Sequence, residues 1–169
     1  MKRTNVAVAV FAVVILAAIS AAAQSSAQKS FDAMKSLAGE WEGNDQTGAN
    51  VAVNYHMTGG GSALMSEIRS SKPGHAEDMI SMIHLDGDRL LLTHYCSAGN
   101  QPRMKATMSP DGKSITFDFV DGTNITKSQP GHMQRVIFTF TDENHHTEEW
   151  HFAAPGKEIV ERFELQKKG

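Results

Sequence analysis

The chain has 169 residues, 40% of them hydrophobic and 21% charged, with a net charge of −3 at pH 7. That length suits one domain around one core. Sixteen Lys and Arg against nineteen Asp and Glu, with no basic cluster, exclude an electrostatic nucleic-acid binder, and a single cysteine excludes an internal disulfide.

Residues 1–23 read as an export signal. Lys2 and Arg3 make a basic start, Val6 to Ile19 is apolar, and Ala21-Ala22-Ala23 supplies the small residues a signal peptidase requires. The run is also long enough for a retained membrane anchor, but its Ala-rich end favours cleavage. Cleavage after Ala23 would remove 23 of the 169 residues, leaving 146, and would take the charge from −3 to −5 with the loss of Lys2 and Arg3. The expected product is secreted or periplasmic, with no membrane contact after cleavage.

Gln24 to Ser30 is polar and Ser/Ala-rich and is expected to form a flexible leader ahead of a domain spanning 31–169. Lys29 to Ala38 has the spacing of one short helix, with Phe31, Met34, Leu37 and Ala38 on one face and Gly39 as its stop. Beyond Gly39 the period changes to two. Val51, Val53 and Tyr55 alternate with Ala52, Asn54 and His56. Gly59-Gly60-Gly61, Lys72-Pro73-Gly74, Asp86-Gly87, Ser109-Pro110-Asp111-Gly112 and Pro155-Gly156 punctuate the chain as turns. Asp121 to Gly131 is the longest irregular connection, with room for a helical turn. The reading is about ten strands of about seven to nine residues, joined by short turns, the pattern of an all-β antiparallel up-and-down barrel with a short N-terminal helix. Closing such a sheet also removes its exposed edges.

The segment 78–108 carries the most chemistry. Two apolar runs meet at Asp86-Gly87 and hold His84, His94, Tyr95 and Cys96. The loop Asn100-Gln101-Pro102-Arg103 follows. Turn register decides whether both histidines share a face. A three-residue Leu85-Asp86-Gly87 loop pairs His84 with Asp88 and gathers His84, His94, Cys96, Met82 and Leu92 on one face; a two-residue Asp86-Gly87 loop separates the histidines. The first is favoured because it forms one apolar lining. His84, His94, Tyr95, Cys96, Asn100, Gln101, Arg103 and Met82 are therefore the candidate ligand-binding residues. Imidazole and thiolate would also suit zinc or copper, and Arg103 could take a carboxylate or phosphate in a fork. The plainer alternatives are histidines bonded to neighbouring strands, a buried cysteine and a surface ion pair for Arg103. His145, Thr147, Glu149 and His151 read as a solvent face beside Trp150 and Phe152. Glu148 and Glu149, adjacent on a strand, point to opposite faces. No catalytic motif occurs, so binding is expected ahead of catalysis, with an enzyme using the same pocket as a further alternative.

Leu37-Ala38-Gly39-Glu40-Trp41-Glu42-Gly43 resembles the Gly-x-Trp signature that opens lipocalin-like (calycin) barrels, including their nitrobindin and fatty-acid-binding branches. The resemblance implies a short helix ahead of the first strand, with Trp41 plugging one barrel end. It also implies small-molecule binding, with haem as the alternative. Nitrobindin-like proteins hold haem through a histidine near the carboxyl end, and His151 is the nearest candidate here. Thr93 to Arg103 is similar to a segment in small exported bacterial proteins with no assigned activity.

Overall fold

The computed structural model describes residues 24–72 and 75–169 and, within them, all side chains except those of residues 72 and 75–77. The proposed export signal and the Pro73-Gly74 turn lie outside the described residues. Among the described residues one α-helix, α1 (Ser26–Lys35), precedes ten strands: β1 (Gly39–Asp45), β2 (Asn50–Thr58), β3 (Ala63–Lys72), β4 (His75–Asp86), β5 (Arg89–Tyr95), β6 (Gln101–Met108), β7 (Ser114–Thr123), β8 (His132–Phe140), β9 (His145–Ala154) and β10 (Lys157–Lys167). Each strand pairs antiparallel with its chain neighbours, and β1 pairs with β10 to close the sheet. The protein is thus an all-β, ten-stranded up-and-down barrel with one short helix, in agreement with the lipocalin-like architecture expected.

The helix begins earlier than its composition indicated. Ser25 caps it by accepting a hydrogen bond from the Gln28 amide at 3.1 Å. Residues 26–30 are therefore helical, which corrects the expected flexible leader over 24–30. A local cap outweighs the polar, Ser-rich composition. Phe31 and Met34 on α1, with Leu37 just beyond it, bury their side chains against the barrel end where β4 finishes and β5 begins.

Period-two alternation divides the strands between a buried inner face and an exposed outer wall. Leu64, Ile68, Ile83, Leu92, Met104, Ile115, Phe117, Val136 and Phe163 are buried inside. Charged residues occupy the outer face, where Arg103 pairs with Asp121 at 2.5 Å and Arg135 with Asp118 at 2.7 Å. A lipid-facing barrel carries an apolar outer band instead. The β1–β10 seam depends on Gly43. A Cβ there would lie 1.8 Å from the Glu164 carbonyl oxygen, so any side chain would push the seam apart.

The central hairpin takes neither of the two registers considered from sequence. Asp86 pairs with Arg89 and Leu85 with Leu90, leaving Gly87-Asp88 as the two-residue loop. Gly87 has φ +60 and occupies the first central position, which calls for glycine in a type II′ turn. The Arg89 guanidinium bonds the Asp86 carboxylate across the turn. The stretch 121–131 is also more regular than its composition indicated. β7 runs on through Thr123, and only 124–131 remain irregular, without a helical turn.

Candidate functional site

The hairpin register sorts the candidate residues onto opposite faces. His84 pairs with Leu91 on the outer wall, whereas His94 pairs with Ser81 inside the barrel. The expected shared face for His84, His94 and Cys96 is therefore corrected. A shift of one residue in pairing moves a whole strand's side chains to the other face. Met82 and Tyr95 follow His84 outward, and Tyr95 is 49% exposed. Arg103 also points outward, where it forms the two-pronged ion pair with Asp121. This pair holds the Arg103 guanidinium pKa up and the Asp121 carboxyl down. Gln101 lies on the same wall, its amide oxygen accepting from Thr123 at 2.5 Å and Asn124 at 3.1 Å. Asn100 is fully buried and ties two loops together by donating to the Gly131 carbonyl at 2.7 Å. His151 is likewise on the outer wall, between Glu149 at 2.8 Å and Glu158 at 3.0 Å.

The two barrel ends are closed differently. At the α1 end, Trp41 is buried and donates its indole N–H to the Leu37 carbonyl at 2.6 Å. At the opposite end the β5–β6 and β7–β8 loops are stitched together over one side, Gln129 donating to the Ala98 carbonyl at 2.9 Å. Beside them lies a cavity of about 320 Å³ lined by Met79, Cys96, Met133, Trp150, Phe152, Ile159 and Glu161. Larger hollows exist, including one of about 790 Å³ across β1, β2 and β3, but it is walled chiefly by polar and charged residues of the outer face such as Glu42, Arg69 and Asp78. Apolar, concave lining with a few polar groups is the character of a small-molecule site, and the mouth cavity has it.

Beneath the mouth the barrel interior is polar. Tyr55 on β2 faces Ser66 on β3, Ser66 faces Ser81 on β4, and Ser81 faces His94 on β5. From the far wall, Glu148 on β9 accepts the Tyr55 hydroxyl on one oxygen and the Trp150 indole N–H, at 2.8 Å, on the other. The Trp150 ring lies 4.7 Å from the His94 ring, which completes a belt around the interior. All six side chains are buried. His146 lies below, its Nε2 3.3 Å from Glu148 and its ring edge-on to Trp41 at 4.3 Å.

Burial sets the protonation of this belt. Desolvation brings the His94 pKa down to about 4, so its imidazole is neutral at ordinary pH. Burial and the neighbouring Glu148 carboxylate push the Tyr55 phenol well above its ordinary value. The Ser81 hydroxyl and His94 Nδ1 share a hydrogen bond at 3.0 Å, while His94 Nε2 has no partner. Ser66 Oγ lies near the Tyr55 phenol but forms no hydrogen bond of ordinary geometry.

Of the eight candidates, only Cys96 lines the cavity and only His94 joins the belt. No group of three or more His, Cys, Asp or Glu side chains gathers as a metal site among the described residues. The other belt residues, Tyr55, Ser66, Ser81, Glu148 and Trp150, were not among the candidate binding residues. A signal for Glu148, and for His146 beneath the belt, was present. Once Trp150 and Phe152 are placed inward, parity carries His146 and Glu148 inward as well. Comparison with models of known protein families finds none that matches the chain, and a search of curated proteins finds no significant relative.

Proposed function

We propose that this protein binds a small, largely apolar molecule in the mouth of its barrel. One observation carries this reading: a cavity of about 320 Å³ at the end not closed by α1, walled by the side chains of Met79, Met133, Trp150, Phe152 and Ile159. Methionine suits such a wall, since its unbranched, polarizable side chain adapts to ligands of different shape. Export of the protein belongs to the same proposal. It is supported by the basic, apolar and Ala-rich order of residues 1–23, and N-terminal sequencing of secreted material would test it.

Titration with Nile red, a neutral solvatochromic dye, tests the binding site. Saturable, blue-shifted emission is expected. Ile159→Trp, which narrows the mouth at an exposed position, should weaken it, and so should Met133→Trp deeper in the wall. Met82→Trp on the outer wall should not. Equal binding by all three variants, or no binding by the parent, would overturn the reading.

A further inference from the structure

We propose that the polar belt beneath the mouth is a head-group site, and that the bound molecule is a neutral amphiphile which enters with its hydroxyl or comparable uncharged hydrogen-bonding group first. This rests on the mouth-binding reading and specifies its ligand class.

The belt and the cavity are consecutive layers of one interior. On three strands the inward position next below a cavity-lining residue is a belt residue: Ser81 below Met79, His94 below Cys96, and Trp150 below Phe152. Successive inward positions are about 6–7 Å apart along a strand, within the reach of one small molecule. Trp150 belongs to both layers, since it lines the cavity, bonds Glu148 and lies against His94.

His94 Nε2 supplies the unmet hydrogen-bonding capacity. The residue is fully buried, faces the interior, and has its other ring nitrogen engaged by Ser81. A buried polar atom without a partner is costly, and pairing it with a ligand group recovers that cost on binding. If Ser81 donates to Nδ1, Nε2 bears the proton and donates; in the other tautomer, Nε2 accepts. A hydroxyl satisfies either tautomer, because it both donates and accepts.

Charge narrows the class further. Glu148 is buried in the belt, with each carboxylate oxygen accepting a hydrogen bond. Among the described side chains no lysine or arginine faces inward at the level of the belt; Arg69, Arg103, Lys105, Arg135 and Arg162 stand on the outer wall, and Lys157 shares the inward face of β10 only at the rim, above Ile159. An anionic head would enter a low-dielectric space beside a carboxylate with no cation to receive it. An alcohol carries no such penalty.

Displacement of Nile red by two probes of equal chain length, decanol and decanoate, tests the proposal near neutral pH. Decanol should compete roughly tenfold more strongly than decanoate, the worth of about one good hydrogen bond. His94→Phe keeps the ring and removes both nitrogens, and should weaken decanol several-fold while leaving decanoate nearly unchanged, so that the preference narrows. Ser66→Ala, a smaller change that keeps the fold if His94→Phe does not, should reduce the preference in part. If decanoate competes as well as decanol against bound Nile red, the head-group proposal fails while mouth binding stands. A decanol affinity unchanged by both substitutions also overturns it. If Nile red does not bind at all, the underlying reading fails with it.

Discussion

The two ends of this barrel are built from similar apolar residues and do opposite things. At the lower end Phe31, Met34, Leu37 and Trp41 fill the interior until they are almost wholly out of solvent. At the upper end Met79, Met133, Phe152 and Ile159 surround a hollow instead. The difference comes from connectivity. Among the described residues, a helix and a tryptophan lie across one end, and turns and two stitched loops at the other. Apolar composition alone therefore marks both a plug and a pocket. Whether another part of the chain is available to fill the space decides which one results.

The largest expected effect comes from breaking the plug. Trp41→Ala should cost about 3–5 kcal/mol, the range for truncating a fully buried aromatic, since it removes the contact with His146 as well as the bond to Leu37. Urea unfolding would measure it, and a loss under ~1 kcal/mol would show that α1 seals the end without the indole.

Acid should act on the belt between the two ends. The folded His94 pKa is about 4, below its ordinary value of 6.5, so the unfolded chain takes up the proton more readily. Stability from this group is complete above pH 6.5 and falls as pH drops toward 4. The total is on the order of 3 kcal/mol, since each tenfold change in proton affinity is worth roughly 1.4 kcal/mol. His94→Phe should flatten that part of the stability profile between pH 4 and 6.5, and an unchanged slope would assign the acid sensitivity to other groups.

Truncating the mouth should matter less. Met133→Ala is expected to cost about 1–2 kcal/mol, at or below the low end for a buried methionine, because its neighbours already border a cavity. It should also weaken Nile red binding, whereas Trp41→Ala should lower stability without changing dye affinity in the folded fraction. The smallest effect belongs to the outer wall. Arg103→Ala breaks an exposed ion pair with Asp121 and should leave both the unfolding midpoint and dye binding unchanged. A clear loss of dye affinity in Arg103→Ala would draw the binding surface out of the barrel.

Particular residues show where the sequence stops being legible. Val51, Val53 and Tyr55, or Ile115 and Phe117, announced their strands and their inward faces, because one buried side imposes strict alternation. His84 and His94 did not announce theirs. The hairpin that holds them was legible, but its pairing was a matter of one or two residues, and each odd step exchanges inside for outside. Arg103 and Asp121 lie eighteen residues apart and meet only because β6 pairs with β7. Tyr55 and Glu148 are separated by 93 positions and share a hydrogen bond only because the sheet has closed.

The sequence by itself determined a chain of short antiparallel strands behind one helix, with a period of two that demands an inside and an outside. Those properties are local, since propensity, turn chemistry and alternation act over a few neighbouring residues. Only the tertiary structure decided which polar side chains went inside, which end was plugged, and that His94 rather than His84 faces the interior. Those outcomes depend on register and closure, which are set by pairing between distant strands and by the close approach at Gly43 that lets β1 meet β10.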